Sequence, residues 1–167
     1  MKKILIIILL MIPTFGFSQV KNAGCYLRME KPVKSDTLSV EDENIKISFV
    51  FNSYNYFCKI SIQNKTDAPI SIDWDKFIMV LEGESHQILF DNTQMINKDS
   101  PKGESVIAPQ SQLSRNIAPV SYIELNLSLY RKGWVKKYGT QEIGFVIPMI
   151  INDSLKYYNC TISVSLQ

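Results

Sequence analysis

The residue best equipped for acid–base chemistry is His86, the only histidine of the chain. Glu84 and Ser85 stand just before it, so hydroxyl, imidazole and carboxylate are all close in sequence. A nucleophilic relay needs these three groups to converge in space, whereas successive side chains of an extended segment point to opposite faces. His86 is therefore expected as a satisfied or solvent-facing imidazole. Zinc sites usually draw on several His or Cys ligands, and one His with Cys25, Cys58 and Cys160 is a poor set. Asp73 and Asp75 share a strand face, and Glu41-Asp42-Glu43 is a short acidic run. Their oxygens suit Ca²⁺, but no glycine-bearing calcium loop accompanies them, and solvated faces are expected. A two-carboxylate hydrolase stays as an alternative, because its acids can be far apart in sequence. There is no Gly-rich phosphate loop, no G-x-S-x-G elbow and no C-x-x-C. The expectation is a non-enzyme without catalytic residues, metal or cofactor.

Binding chemistry is better supplied. Tyr130-Arg131-Lys132-Gly133-Trp134-Val135-Lys136-Lys137-Tyr138 is the densest basic and aromatic cluster downstream of the N-terminal segment. On an extended hairpin arm, turned at Lys132-Gly133, the side chains of Trp134, Lys136 and Tyr138 project to one side. Aromatic faces beside ammonium groups stack on sugars or hold anions. Tyr130, Trp134, Lys136 and Tyr138 are thus the candidate ligand-binding residues. The competing structural role is a core tryptophan with lysines solvated around it. The long polar connection from Asp91 to Gln112 is a second candidate, expected to be mobile.

What must position these residues is a chain that begins with an address. Lys2 and Lys3, the apolar run Ile4 to Ile12, and Gly16-Phe17-Ser18 read as a secretory signal peptide over residues 1–18, cut before Gln19. The apolar run is shorter than the roughly 20 residues of a spanning helix, and no later segment approaches that length. The protein is therefore expected to be exported, periplasmic or secreted, with no transmembrane segment in the mature chain. Ala23-Gly24-Cys25 resembles the end of a lipoprotein signal, but Asn22 occupies the usual apolar position, so lipid anchoring at Cys25 is not expected. Two of the 18 Lys and Arg lie in the leader and all 16 Asp and Glu follow it, which leaves no net charge. Such a surface gives no long-range attraction for nucleic acid. Residues 19–167 suffice for one well-buried domain, and no linker or repeat divides them.

The alternation within that domain is that of strands. Ile45, Ile47, Phe49 and Phe51 share a parity, as do Tyr56, Cys58, Ile60 and Ile62, and then Ile70, Ile72 and Trp74. Turn formers Asn64 to Pro69 separate the last two sets. Phe77 to Leu81, apolar throughout, suggests a strand covered on both sides and followed through Gly83-Glu84-Ser85 by an antiparallel partner at His86 to Phe90. Further on, Ile123, Leu125, Leu127 and Leu129 alternate. Ile143 to Ile151 and Tyr158 to Leu166 form a hairpin about Asn152-Asp153, and Pro148 puts its strand at an edge or a bulge. Eight to ten short strands at this spacing point to an all-β, antiparallel two-sheet sandwich. Cys58 and Cys160 both fall on core-facing parity, where either a disulfide or two buried thiols fit.

The order Ile45-Lys46-Ile47-Ser48-Phe49, Cys58-Lys59-Ile60-Ser61-Ile62-Gln63-Asn64-Lys65-Thr66, Ile70-Ser71-Ile72-Asp73-Trp74 and Ser105-Val106-Ile107-Ala108-Pro109 resembles a loose group of secreted immunoglobulin-like sandwich proteins of envelope-rich Gram-negative bacteria. The resemblance spans roughly residues 40 to 120 and is a fold signature. It implies an immunoglobulin-like sandwich serving as a binding or accessory module of the cell envelope, its partner an envelope protein or a glycan, and it transfers no functional residues.

Overall fold

The computed structural model describes residues 20–52 and 56–166; the leader expected over residues 1–18 lies outside them. Twelve strands and two short helices follow in chain order: β1 (Val20–Asn22), β2 (Cys25–Lys31), β3 (Ser39–Glu41), β4 (Ile45–Phe51), β5 (Cys58–Asn64), β6 (Ile70–Asp73), β7 (Ile78–Leu81), β8 (Glu84–Phe90), β9 (Glu104–Ile107), β10 (Gln112–Pro119), α1 (Val120–Glu124), α2 (Lys132–Tyr138), β11 (Gln141–Ile151) and β12 (Ser154–Ser165). All pairings between these strands are antiparallel. The expected all-β architecture is met. Its strands, however, run as one continuous hydrogen-bonded path, β1-β2-β12-β11-β7-β8-β10-β5-β4-β3, with β6 and β9 attached beside β11. It is a single curled sheet of twelve strands, a half-barrel, where two separate sheets of eight to ten strands were expected.

The curl is made by β8. Glu84 to Gln87 pair with β7, and Ile88 to Phe90 pair with β10, so one strand serves both limbs of the sheet. A strand that changes partners midway turns a corner, and the limbs then face each other across a shared interior. Phe49 on β4 stacks on Phe145 on β11 at 4.5 Å between ring centres. Trp74 sits edge-on to Phe90 at 5.2 Å and alongside Phe77 at 5.7 Å, which carries the aromatic layer to the corner. The inward parities read from sequence for β4, β5, β6 and β11 are all buried.

Two-residue hairpins set the registers. Asn152 and Asp153 both have positive φ, 49° and 58°, joining β11 to β12 over eleven paired positions. Glu82 and Gly83, at 54° and 82°, do the same for β7 and β8. Positive φ at both central positions matches the twist of the flanking strands. The second of these turns lies one residue earlier than the sequence suggested, and β7 buries Met79 and Leu81 while Ile78 and Val80 are half-buried.

Three further expectations are corrected, and one open alternative is resolved. Residues 123–129 are not a strand: α1 ends there in local bonds from Leu125 to Ser121 and from Leu127 to Tyr122, and Leu125 is exposed. The buried residues are Tyr122, Leu129 and Tyr130, which do not alternate. The Asp91 to Gln112 connection is not a loose loop. It contains a 3-10 turn at Met95–Asn97 and β9, which pairs with β6, and both Asp75 carboxylate oxygens accept from its Lys102 and Gly103 amides. Pro148 lies in a strand with partners on both sides rather than at an edge. Its missing donor is tolerated because β7 pairs with Ile143 to Val146 and β6 with Met149 and Ile150, leaving Pro148 paired with Tyr157 alone. Cys58 and Cys160, finally, are free, buried thiols. Cys58 lies near Tyr130 and opposite Ile117, whereas Cys160 lies opposite Phe145, so each fills its own apolar niche.

One polar residue is fully buried among the strands. Asn64, at the end of β5, donates from its amide to the carbonyls of Ala68, Ile107 and Ala108 at 2.8 to 3.1 Å, and its oxygen accepts from the Thr66 amide at 2.9 Å. It thereby ties the turn after β5 to the segment joining β9 and β10. Asn64→Ala should cost about 3 kcal/mol in urea unfolding, because several buried carbonyls lose their donor together; an unchanged midpoint would refute this role. Burial also pushes all three thiols above their ordinary pKa, Cys160 up to about 12, and Cys25 is as inaccessible as the other two. None should be alkylated in native protein, and all three should label together on unfolding.

Candidate functional site

The basic and aromatic cluster is helical. Its residues fold as α2 because Leu129 and Tyr130, both buried, pin the entry, and Val135 plugs the core beneath the helix. Tyr130 meets the Phe51 ring edge-on at 5.7 Å. The Arg131 carbonyl accepts from both Trp134 and Val135, and Gly139 ends the helix at φ 84° with its amide on the Val135 carbonyl. Lys136 and Lys137 occupy the last turn, where the helix dipole favours cations.

Helical geometry changes which side chains meet. Trp134 and Tyr138 are one turn apart and share a face, while Lys136 is rotated about 200° from Trp134 and leaves the group. Tyr130 leaves it too, since it is core. The expected set of four is thus reduced to Trp134, which is half-buried, and Tyr138, which is 63% exposed. The tryptophan is neither fully displayed nor a core residue.

Two residues that sequence reasoning passed over complete the site. Trp134 and Tyr138 line a hollow of about 410 Å³ together with Glu82, from the β7–β8 turn, and Gln141, the first residue of β11. Arg131 lies over the Trp134 ring at 4.9 Å and Lys137 over the Tyr138 ring at 4.7 Å. Each cation covers one face of its ring, so the remaining face and edges are what a ligand can reach. A larger hollow of about 490 Å³ beside β6 and β11 has Asp153 as its only charged group and no aromatic ring. The smaller one has two aromatic rings, a carboxylate and an amide in its lining.

Beside it stands a second arrangement. The Ser121 hydroxyl, on α1, lies 2.9 Å from His86 Nδ1, on β8, and the Tyr122 ring meets the imidazole edge-on at 5.5 Å. Sequence adjacency offered Ser85 as the hydroxyl, but strand alternation sends it away, and the corner in the sheet brings Ser121 in its place. Among the described residues His86 has no carboxylate partner, so no acid completes a relay. Burial, the Glu82 and Glu84 carboxylates, and a hydrogen bond to Glu82 push Tyr122 up to about 12, so it is a neutral donor at physiological pH.

The other acids have structural employment. Asp73 pairs with Lys76 at 2.8 Å, which holds its carboxyl below the usual range, and Asp75 binds the two backbone amides described above. Glu41 pairs with Lys65 and Lys46, and Asp42 accepts from the Ile45 and Asn44 amides and from Tyr158. No grouping of three metal-ligating side chains occurs among the described residues.

No protein-family model and no curated protein matches the chain. A solved structure of a protein from Archaeoglobus fulgidus is similar over 75% of this chain and 96% of its own, at 11% identity and a TM-score of 0.35. At that distance it assigns no function. No helix among the described residues is long and apolar enough to cross a membrane.

The half-buried setting of Trp134 has a measurable consequence. Trp134→Ala should cost about 1 kcal/mol in denaturant unfolding, well short of the roughly 3 to 5 kcal/mol of a fully buried aromatic. Trp74→Ala, within the core, provides the comparison at the upper end.

Proposed function

We propose that the protein is an exported, non-enzymatic binding module of the cell envelope, and that its ligand is a glycan held at the α2 hollow. The observation that carries this reading is the pairing of Trp134 with Tyr138, one helical turn apart, over a concavity whose other walls are a carboxylate and an amide. A sugar presents an apolar C–H face to an aromatic ring and hydroxyls at its rim to polar groups, which is the combination these four side chains offer. The volume falls within the range of small-ligand sites.

Other features agree. The residue pattern of positions 1–18 favours export. Cys25 is fully buried and opposes Asn22 in β1, so a lipid there would require both the loss of β1 and withdrawal of its side chain from the core. That favours a chain without a lipid anchor. We read the facing limbs joined through β8 as a variant of the immunoglobulin-like sandwich, in keeping with the secreted group its strand motifs resemble.

A glycan array probed with the purified protein tests the proposal. Binding to at least one oligosaccharide class is expected, with a loss of about thirtyfold in Trp134→Ala, as for an aromatic anchor at the centre of a contact. The reading fails if nothing on the array binds, or if folded Trp134→Ala binds as well as the parent.

A further inference from the structure

Of the four side chains around the α2 hollow, one stands on a backbone that its residue type disfavours. Glu82 holds φ at 54°, in the left-handed region, at the first central position of the β7–β8 turn. Asn, Asp or Gly normally fill that position, because a longer side chain crowds the following carbonyl there. The hairpin itself has no use for a glutamate. Its side chain nevertheless lines the hollow together with Trp134 and Tyr138.

Among the described residues that carboxylate is the only charged group lining the hollow, although α2 and its N-cap carry four cations. Arg131 and Lys137 lie over the aromatic rings, and the Lys132 side chain packs towards Gly24.

We propose that Glu82 is the specificity-determining residue of this site. The carboxylate accepts hydrogen bonds from the ammonium of an amino sugar or the hydroxyls of a neutral one, and repels a sugar acid. This inference rests on the glycan reading of the hollow and sharpens it.

Calorimetry at low ionic strength and mildly acidic pH, with tetrasaccharides of glucosamine, N-acetylglucosamine and galacturonic acid, provides the test. The parent should bind them in that order, with about threefold to fivefold between the charged and neutral sugars. Glu82→Gln should erase the advantage of the ammonium sugar, and Glu82→Lys should reverse the order. Glu82→Asn relieves the backbone and should raise Tm by about 2 to 4 °C while losing the discrimination, a split that a purely structural glutamate would not produce. If Trp134→Ala abolishes binding but Glu82→Gln keeps the parental order, the assignment of Glu82 is wrong and the glycan reading stands. If no tetrasaccharide binds the parent, both fall.

Discussion

The architecture turns on the divided allegiance of β8. Its first half belongs to the limb containing β7 and β11, its second to the limb containing β10, β5 and β4. A backbone shared in this way fixes the two limbs at one edge through hydrogen bonds rather than through side-chain packing alone. The aromatic layer of Phe49, Phe145, Phe77, Trp74 and Phe90 then fills the enclosed space. The same corner sets the functional geography. Because β10 ends beside β8, the helix that follows it lands next to His86, and because the β7–β8 turn sits at the top of the corner, Glu82 comes within reach of both Tyr122 and α2.

Long strands with one buried face were plain in the sequence. Positions 45–49, 58–62 and 70–74 alternate strictly, and a one-residue slip would turn their apolar side chains outward, so the pattern fixes both the element and its facing; 143–151 keeps one large inward parity although Val146, Pro148 and Ile150 stand on the other. The continuous sheet was not legible. Nothing in residues 84–90 marks the point where the partner changes, since pairing on either side demands the same extended backbone. Asn64 was misjudged for a related reason: its residue type signals a turn, and a turn does follow, but its side chain is drawn inward to serve three carbonyls.

The candidate site was half legible. A spacing of four places Trp134 and Tyr138 on the same side of a strand, and nearly the same holds on a helix, so the pair survives either geometry. A spacing of two does not, which is why Lys136 belongs to the strand reading only. What selects the helix is the burial of Leu129 and Tyr130 at its entry and of Val135 at its middle, a tertiary fact. Glu82 and Gln141 come from distant elements, and only the positive φ of Glu82 singles it out once the backbone is known.

Pro148 bears on how the molecule comes apart. By falling where β11 exchanges β7 for β6, it splits that flank of the strand into two blocks with no ladder bond between them. The β6–β9 pair holds to β11 through only two paired positions, with further anchorage from Asn64 on the Ile107 carbonyl. Thermal motion that peels this pair away meets a break before it reaches β7. The sheet therefore consists of two units of unequal cohesion, and the weaker can exchange its amide protons with solvent while the corner and the hollow beside α2 stay closed.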